Sequence, residues 1–289
     1  MKTLGDILKL STEFLTAKGV QEARLSAEWL AARLLRCKRL ELPLRYGDVL
    51  AEPLVEAMRR GVKRVAAGEP VQYVIGCWEF RGLSFITDKR ALIPRPETEQ
   101  LVELVLRSPL IRESEHPRIV DVGTGSGCIA LAIAHECPNA KVLATDISEE
   151  ALSLARDNAA RLNLAHRVTF VAASLDDILE PATVDILVSN PPYIPSKAVD
   201  ALAPSVRDFE PRLALDGGDD GMDILRAIAE EAAFALRSGG GLFLELSAEH
   251  RQVPVMTRYL SELGFDAVTT HRDFASAERF LSATLALGV

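Results

Sequence analysis

At 289 residues the chain exceeds a typical single domain, so about two domains are expected, with ample length to bury a core. Its 41 acidic residues outnumber 33 basic ones, and a formal net charge of −8 argues against nonspecific adhesion to nucleic acid or to an anionic membrane. The four cysteines, Cys37, Cys77, Cys128 and Cys137, form no CxxC pair, which points away from a zinc cluster or disulfide framework and suits reduced thiols in the cytoplasm.

From Thr3 to about Ala67 apolar residues recur at three- and four-residue spacing, as in Ala27, Leu30, Leu34 and Leu35, which predicts a small helical domain over residues 1–69. Its first segment carries Leu4, Ile7, Leu8 and Phe14 on one face but is interrupted by Lys2, Asp6 and Lys9, unlike a signal peptide. No stretch reaches the roughly 20 apolar residues of a membrane span. The basic run from Arg59 to Arg64 reads as a solvated helix face. Gly68-Glu69-Pro70 breaks the pattern. Val71 to Ile93 is then rich in aromatic and β-branched residues punctuated by Gly76 and Gly82, which predicts a β-hairpin linker within residues 70–95. Ile93-Pro94-Arg95-Pro96 forces extended backbone, and Glu97 and Glu99 suit the first turn of a helix running to about Leu106.

Beyond Pro117 strands and helices alternate. Arg118–Val122, Lys141–Thr145, Val168–Ala172, Val184–Ser189 and Gly241–Leu246 read as strands, with helices after Gly127 and over Glu149–Leu162, Met222–Leu236 and Arg251–Leu263. Such alternation predicts an α/β domain over residues 96–289 with a mostly parallel sheet and helices on both faces. Two successive strands near Ala267 and Phe280 predict an antiparallel edge.

Asp121-Val122-Gly123-Thr124-Gly125-Ser126-Gly127 follows the first of these strands and opens a helix. Glycines there allow a tight turn and close ligand approach, and they leave amide donors at a helix N-terminus. Cys128 stands where a dinucleotide fingerprint wants a third glycine, and no phosphate-binding lysine follows, so the turn points away from NAD and ATP. It is similar to the first motif of Rossmann-like methyltransferases. Asp146 ends the second strand, where a carboxylate can accept hydrogen bonds from the ribose hydroxyls of a bound nucleoside.

The buried strand Val184–Ser189 ends in Asn190-Pro191-Pro192-Tyr193, beyond the carboxyl edge of the sheet where ligands of open α/β folds bind. Successive prolines cannot donate and stiffen the loop, so its carbonyls are free to accept. A substrate NH2 group can give one hydrogen to the Asn190 side chain and the other to the Pro191 carbonyl, with Pro192 completing the cradle and Tyr193 offering an aromatic face. Amide nitrogen is a poor nucleophile, and two accepted hydrogen bonds would return electron density to it and aim it at a methyl donor.

Taken together these residues resemble the bacterial and organellar protein-(glutamine-N5) methyltransferases that modify peptide chain release factors. Further matches are Gly68-Glu69-Pro70-Val71-Gln72-Tyr73, Glu79-Phe80-Arg81-Gly82-Leu83, Ile93 to Glu99, Glu210-Pro211 with Ala214-Leu215-Asp216-Gly217-Gly218, Asp220-Gly221, and Arg272-Asp273-Phe274 with Arg279. The resemblance covers nearly the whole chain. It implies a class I methyltransferase domain using S-adenosyl-L-methionine, preceded by a helical domain that recognises the release factor. It further implies that Gly123, Thr124, Gly125, Ser126, Gly127, Asp146 and Asn190 meet the cofactor, while Asn190, Pro191, Pro192 and Tyr193 hold the glutamine of a Gly-Gly-Gln loop. Two positions depart from the pattern. Ser174-Leu175 replaces an acidic and an aromatic residue beside the adenine, where Leu175 can cover the ring by apolar contact, and Leu246-Ser247 replaces Ile-Gly. The expected enzyme is a cytoplasmic monomer acting on release factors, without metal, membrane or direct nucleic-acid requirement. Competing readings are an adenine-N6 nucleic-acid methyltransferase, since the exocyclic amine of adenine presents the same planar NH2 to the loop, and an S-adenosylmethionine-binding protein that has lost turnover.

Overall fold

The computed structural model describes residues 2–173 and 180–287, and the chain divides into two compact units. The first comprises Met1–Trp78 together with Ala203–Phe209. Its N-terminal stretch holds α1 (Leu4–Ala17), α2 (Ala23–Leu35), a 3-10 helix (Arg39–Arg45), α3 (Glu52–Ala66) and the short α4 (Val71–Ile75). Thr3 caps α1, its hydroxyl accepting from the Asp6 N–H while the Asp6 carboxylate accepts from the Thr3 N–H, a reciprocal capping box. Leu4, Ile7, Leu15, Ala27, Leu30, Met58 and Val62 interdigitate as the core of this unit. The basic run lies on α3, where Arg59 pairs with Glu56 and Arg64 with Glu69, as a solvated face should.

The sequence reading of a hairpin from Val71 onward is corrected at its start. Val71–Ile75 is helical because Pro70 occupies the N-cap and Gly76, at φ +72°, supplies the left-handed C-cap, and those two boundaries outweigh the β-branched side chains between them. The hairpin follows as β1 (Cys77–Phe80) and β2 (Leu83–Ile86).

The second unit comprises Glu79–Leu202 and Glu210–Val289. It holds α5 (Pro96–Arg107), α6 (Pro109–Glu113), β3 (Arg118–Val122), α7 (Cys128–Glu136), β4 (Lys141–Asp146), α8 (Glu149–Arg161), β5 (Val168–Ala172) and β6 (Val184–Ser189). After α9 (Ser196–Val199) and α10 (Pro204–Arg207), the latter within the first unit, come α11 (Asp223–Ala235), β7 (Leu236–Glu245), α12 (Gln252–Glu262), β8 (Phe265–Arg272) and β9 (Glu278–Leu285). The seven strands run in the order β5-β4-β3-β6-β7-β9-β8, parallel from β5 to β7 and antiparallel at the β7–β9 and β9–β8 pairs, as the closing pair of strands predicted.

Alternation along the strands builds two cores. Ile119, Ile186, Val188, Phe243 and Phe280 face α5 and α7, while Val120, Leu187, Leu242, Leu244 and Leu281 face α11 and α12. Every residue of β6 is buried, which is why that strand reads as an unbroken apolar run apart from Asp185 and Ser189. Asn158 of α8, fully buried, accepts from Ile86 N at 2.6 Å and donates to the Ile86 and Ser126 carbonyls at 3.2 and 2.9 Å, tying β2 to the glycine turn. Among the described residues no helix is long and apolar enough to cross a membrane.

Candidate active site

The strand order reverses at β3, which has β4 on one side and β6 on the other. Register pairs Val122 with Thr145 and with Ser189. The next residues, Gly123, Asp146 and Asn190, therefore emerge at one level from the carboxyl edge, in the crevice where open α/β sheets bind ligands. A cavity of about 380 Å³ opens there. Of the residues expected at the site, Gly123, Thr124, Gly125, Ser126, Asp146, Asn190, Pro191 and Pro192 line it, whereas Gly127 and Tyr193 do not. Leu175 lies outside the described residues, as does Ser174.

Gly123, Gly125 and Gly127 all have positive φ. A Cβ on Gly123 would project into open space, whereas one on Gly127 would stand 3.1 Å from both the Ala155 Cβ and a Leu131 methyl. Gly127 thus serves the packing of α7 on α8, and the first two glycines leave room beside the cavity. Asp121, at the root of the turn, is fully buried and accepts from the Thr124 hydroxyl at 2.6 Å and from Ala130 N at 3.1 Å. Burial pushes its carboxyl up to about 7 despite those two hydrogen bonds.

Asp146 accepts from Gly125 N and from Ser148 N, each at 2.9 Å. One lone pair on each oxygen is thereby used, and a carboxylate with roughly four acceptor sites keeps two for a ligand diol. Burial raises its pKa, against those backbone hydrogen bonds. Ile147 follows it with 62 % of its surface exposed while lining the cavity, an apolar face that a purine ring would cover. A diol acceptor, an apolar face and a turn whose Gly123 and Gly125 carry no Cβ together fit S-adenosylmethionine.

Asn190 donates through Nδ2 to the Thr98 hydroxyl at 3.0 Å, and among the described residues no hydrogen bond reaches its Oδ1 or the Pro191 carbonyl. Thr98 in turn donates to Glu245 Oε2 at 2.8 Å, and the Tyr193 hydroxyl donates to Glu245 Oε1 at 3.3 Å. Burial pushes the Glu245 carboxyl up to about 7, while the Thr98 hydrogen bond and the Arg279 charge pull it down. Burial also raises the Tyr193 phenol. The Tyr193 ring packs against the α11 and α12 core rather than at the cavity, and its carbonyl accepts from Gln252 Nε2 at 2.7 Å.

Other stretches that carried the resemblance are tied to this loop or to one another. Ile194 N donates to the Leu215 carbonyl and Gly217 N to that of Ile194, so the Ala214–Gly218 segment lies along the Asn-Pro-Pro-Tyr loop. A Cβ on Gly217 would meet the Pro192 carbonyl at 2.7 Å, an approach only glycine allows. Glu210 accepts from Ile93 N at 3.0 Å and pairs with Arg95 at 2.5 Å, joining the Ile-Pro-Arg-Pro and Glu-Pro stretches. Asp273 pairs with Arg279 at 2.7 Å. Thr98, Ile147, Glu245 and Gln252 received no role from the sequence. Thr98 and Glu245 carried a signal, a polar residue in a signature stretch and an acid ending a buried strand, whereas Gln252 carried none.

The fold and the glycine turn define a Rossmann-like methyltransferase, and residues 102–206 match the methyltransferase small domain. Residues 6–76 match the PrmC N-terminal domain. The release factor glutamine methyltransferase of Geobacter sulfurreducens is 38 % identical over 98 % of this chain and 97 % of its own length. That of Deinococcus radiodurans is 40 % identical over 99 % of both chains. The human MTRF1L release factor glutamine methyltransferase is 36 % identical over 91 % of this chain and 82 % of its own. The chain belongs to the release factor glutamine methyltransferase family. The crystal structure of a methyltransferase from Pyrococcus furiosus shares the fold at a TM-score of 0.51 and 20 % identity, over 78 % of this chain and 98 % of that one.

Proposed function

We propose that the chain transfers a methyl group from S-adenosylmethionine to the side-chain N5 of the glutamine in the Gly-Gly-Gln loop of peptide chain release factors. The observation that carries this is a pair of acceptors without partners among the described residues, Asn190 Oδ1 and the Pro191 carbonyl, beside a cavity fitted to the methyl donor. An amide NH2 has two hydrogens to give, and this pair takes both. Bound S-adenosylmethionine supplies an electrophilic sulfonium methyl. The two acceptors fix the amide plane, draw the hydrogens away from the nitrogen and free its lone pair for in-line attack. Transfer from a cofactor held by Gly123 to Ser126 and Asp146 would exchange its C–S bond for the new N–C bond, and the acceptor nitrogen would then give its proton to water without a strong base.

Asn190, Pro191 and Pro192 contact the glutamine, Gly123 to Ser126, Asp146 and Asn190 the cofactor, and Ile147 its adenine. Tyr193 supports the loop from behind. The first unit recognises the folded release factor. The enzyme acts in the cytoplasm as a monomer. Four free cysteines suit a reducing compartment.

The test is incubation with methyl-labelled cofactor and three acceptors: a purified release factor, the same factor with its loop glutamine replaced, and an adenine-containing oligonucleotide. Label enters the first alone. Label in the oligonucleotide would move the activity to nucleic acid.

A further inference from the structure

Behind the Asn190 amide runs a buried chain of hydrogen bonds that methyl transfer itself does not use. Asn190 Nδ2 donates to Thr98 Oγ1 at 3.0 Å, and Thr98 Oγ1 donates to Glu245 Oε2 at 2.8 Å. Thr98 is 2 % exposed and Glu245 1 % exposed, so water does not compete for either. A hydroxyl has one proton. While Glu245 holds it, Thr98 can offer Asn190 only a lone pair, and the amide must turn its N–H toward Thr98 and its carbonyl away.

We propose that Glu245 is a positioning residue that acts through Thr98 to keep the Asn190 carbonyl, rather than its NH2, facing the acceptor nitrogen. This rests on the reading of Asn190 as the acceptor of an amide hydrogen. The second Glu245 oxygen accepts from Tyr193, so one carboxylate holds both ends of the Asn190–Tyr193 loop. Arg279, itself held by Asp273 at 2.7 Å, favours the carboxylate form, and Glu97 opposes it. Without an acceptor at position 245, the Thr98 proton is free to turn to Asn190 Oδ1. The amide would then present NH2 to the substrate NH2, donor against donor.

The test is steady-state methylation of a release factor at pH 8.5, with cofactor affinity measured by calorimetry, for wild type, Glu245→Gln, Glu245→Met, Thr98→Ser and Thr98→Val. Gln and Ser preserve the acceptor and the hydroxyl, and their kcat stays within about fivefold of wild type. Met and Val remove them, and kcat falls on the order of 30-fold while cofactor affinity stays within about threefold. Valine is nearly isosteric with threonine, so Thr98→Val decides the matter even where Glu245→Met fails to fold. Wild-type kcat in Thr98→Val, equal losses in Glu245→Gln and Glu245→Met, or cofactor affinity falling in step with kcat would each overturn the inference. A folded, cofactor-binding wild type inactive on release factors would instead sink the reading beneath it, and this inference too.

Discussion

An amide side chain can show an acceptor or a donor, and the role proposed for Asn190 requires the acceptor. Its Nδ2 donates to Thr98, and Oδ1 has no hydrogen-bond partner among the described residues. Asn190→Ala should therefore lower kcat by about a hundredfold or more, the scale of losing a preorganised polar contact at the reacting group. Cofactor affinity by calorimetry should stay within a few fold, and equal loss of both would contradict orientation of the acceptor as the residue's main role. Asp146→Ala should do the opposite, weakening S-adenosylmethionine binding by about tenfold to a hundredfold through lost hydrogen bonds to a charged group. Its kcat at saturating cofactor should change little, and an unchanged dissociation constant would contradict the assigned diol contact. The glycine turn, Asp146 and Asn190 were legible because each sits at a strand end with a distinctive residue type. Thr98 and Glu245 were not, because their bond joins positions 147 residues apart and no local periodicity records it.

At the scale of elements, strands β3 and β6 were readable from the sequence because buried parallel strands appear as apolar runs, and the helices between strands appear as periodic ones. Helix α4 was not, since its boundaries, Pro70 and Gly76, decide against the preference of the residues between them. The loop from Asn190 is equally opaque. Its shape comes from a second stretch, Ala214–Gly218, laid along it by the Ile194–Leu215 and Gly217–Ile194 hydrogen bonds. Gly217→Ala should push its methyl into the Pro192 carbonyl, costing about 1 to 3 kcal/mol of stability by overpacking and displacing the acceptor pair. Thermal unfolding and kcat should both fall. A variant with wild-type values for both would show that this close approach is absent in solution.

Across the whole molecule, two carboxyls fully buried in the second unit make stability depend on pH. Asp121 and Glu245 are each raised to about 7 from ordinary values of 3.8 and 4.5, so the native state holds their protons more tightly than the unfolded chain. Their contribution is complete below about pH 4 and is lost as the pH rises through about 7. Denaturant unfolding at pH 5 and pH 8 should show wild type losing stability across that interval, and Asp121→Asn should shrink the loss by roughly 2 kcal/mol. Identical slopes for the two proteins would show that Asp121 is not protonated in the native state. A helical start followed by strand-helix alternation was legible in the spacing of apolar residues. The grouping of Ala203–Phe209 with the first unit was not, because it depends on contacts far from those residues in sequence. The most direct measurement is peptide mass mapping of a release factor after reaction with S-adenosylmethionine and the purified enzyme. One added methyl group should map to the side-chain nitrogen of the Gly-Gly-Gln glutamine, and methylation at any other residue, or none, would contradict the account.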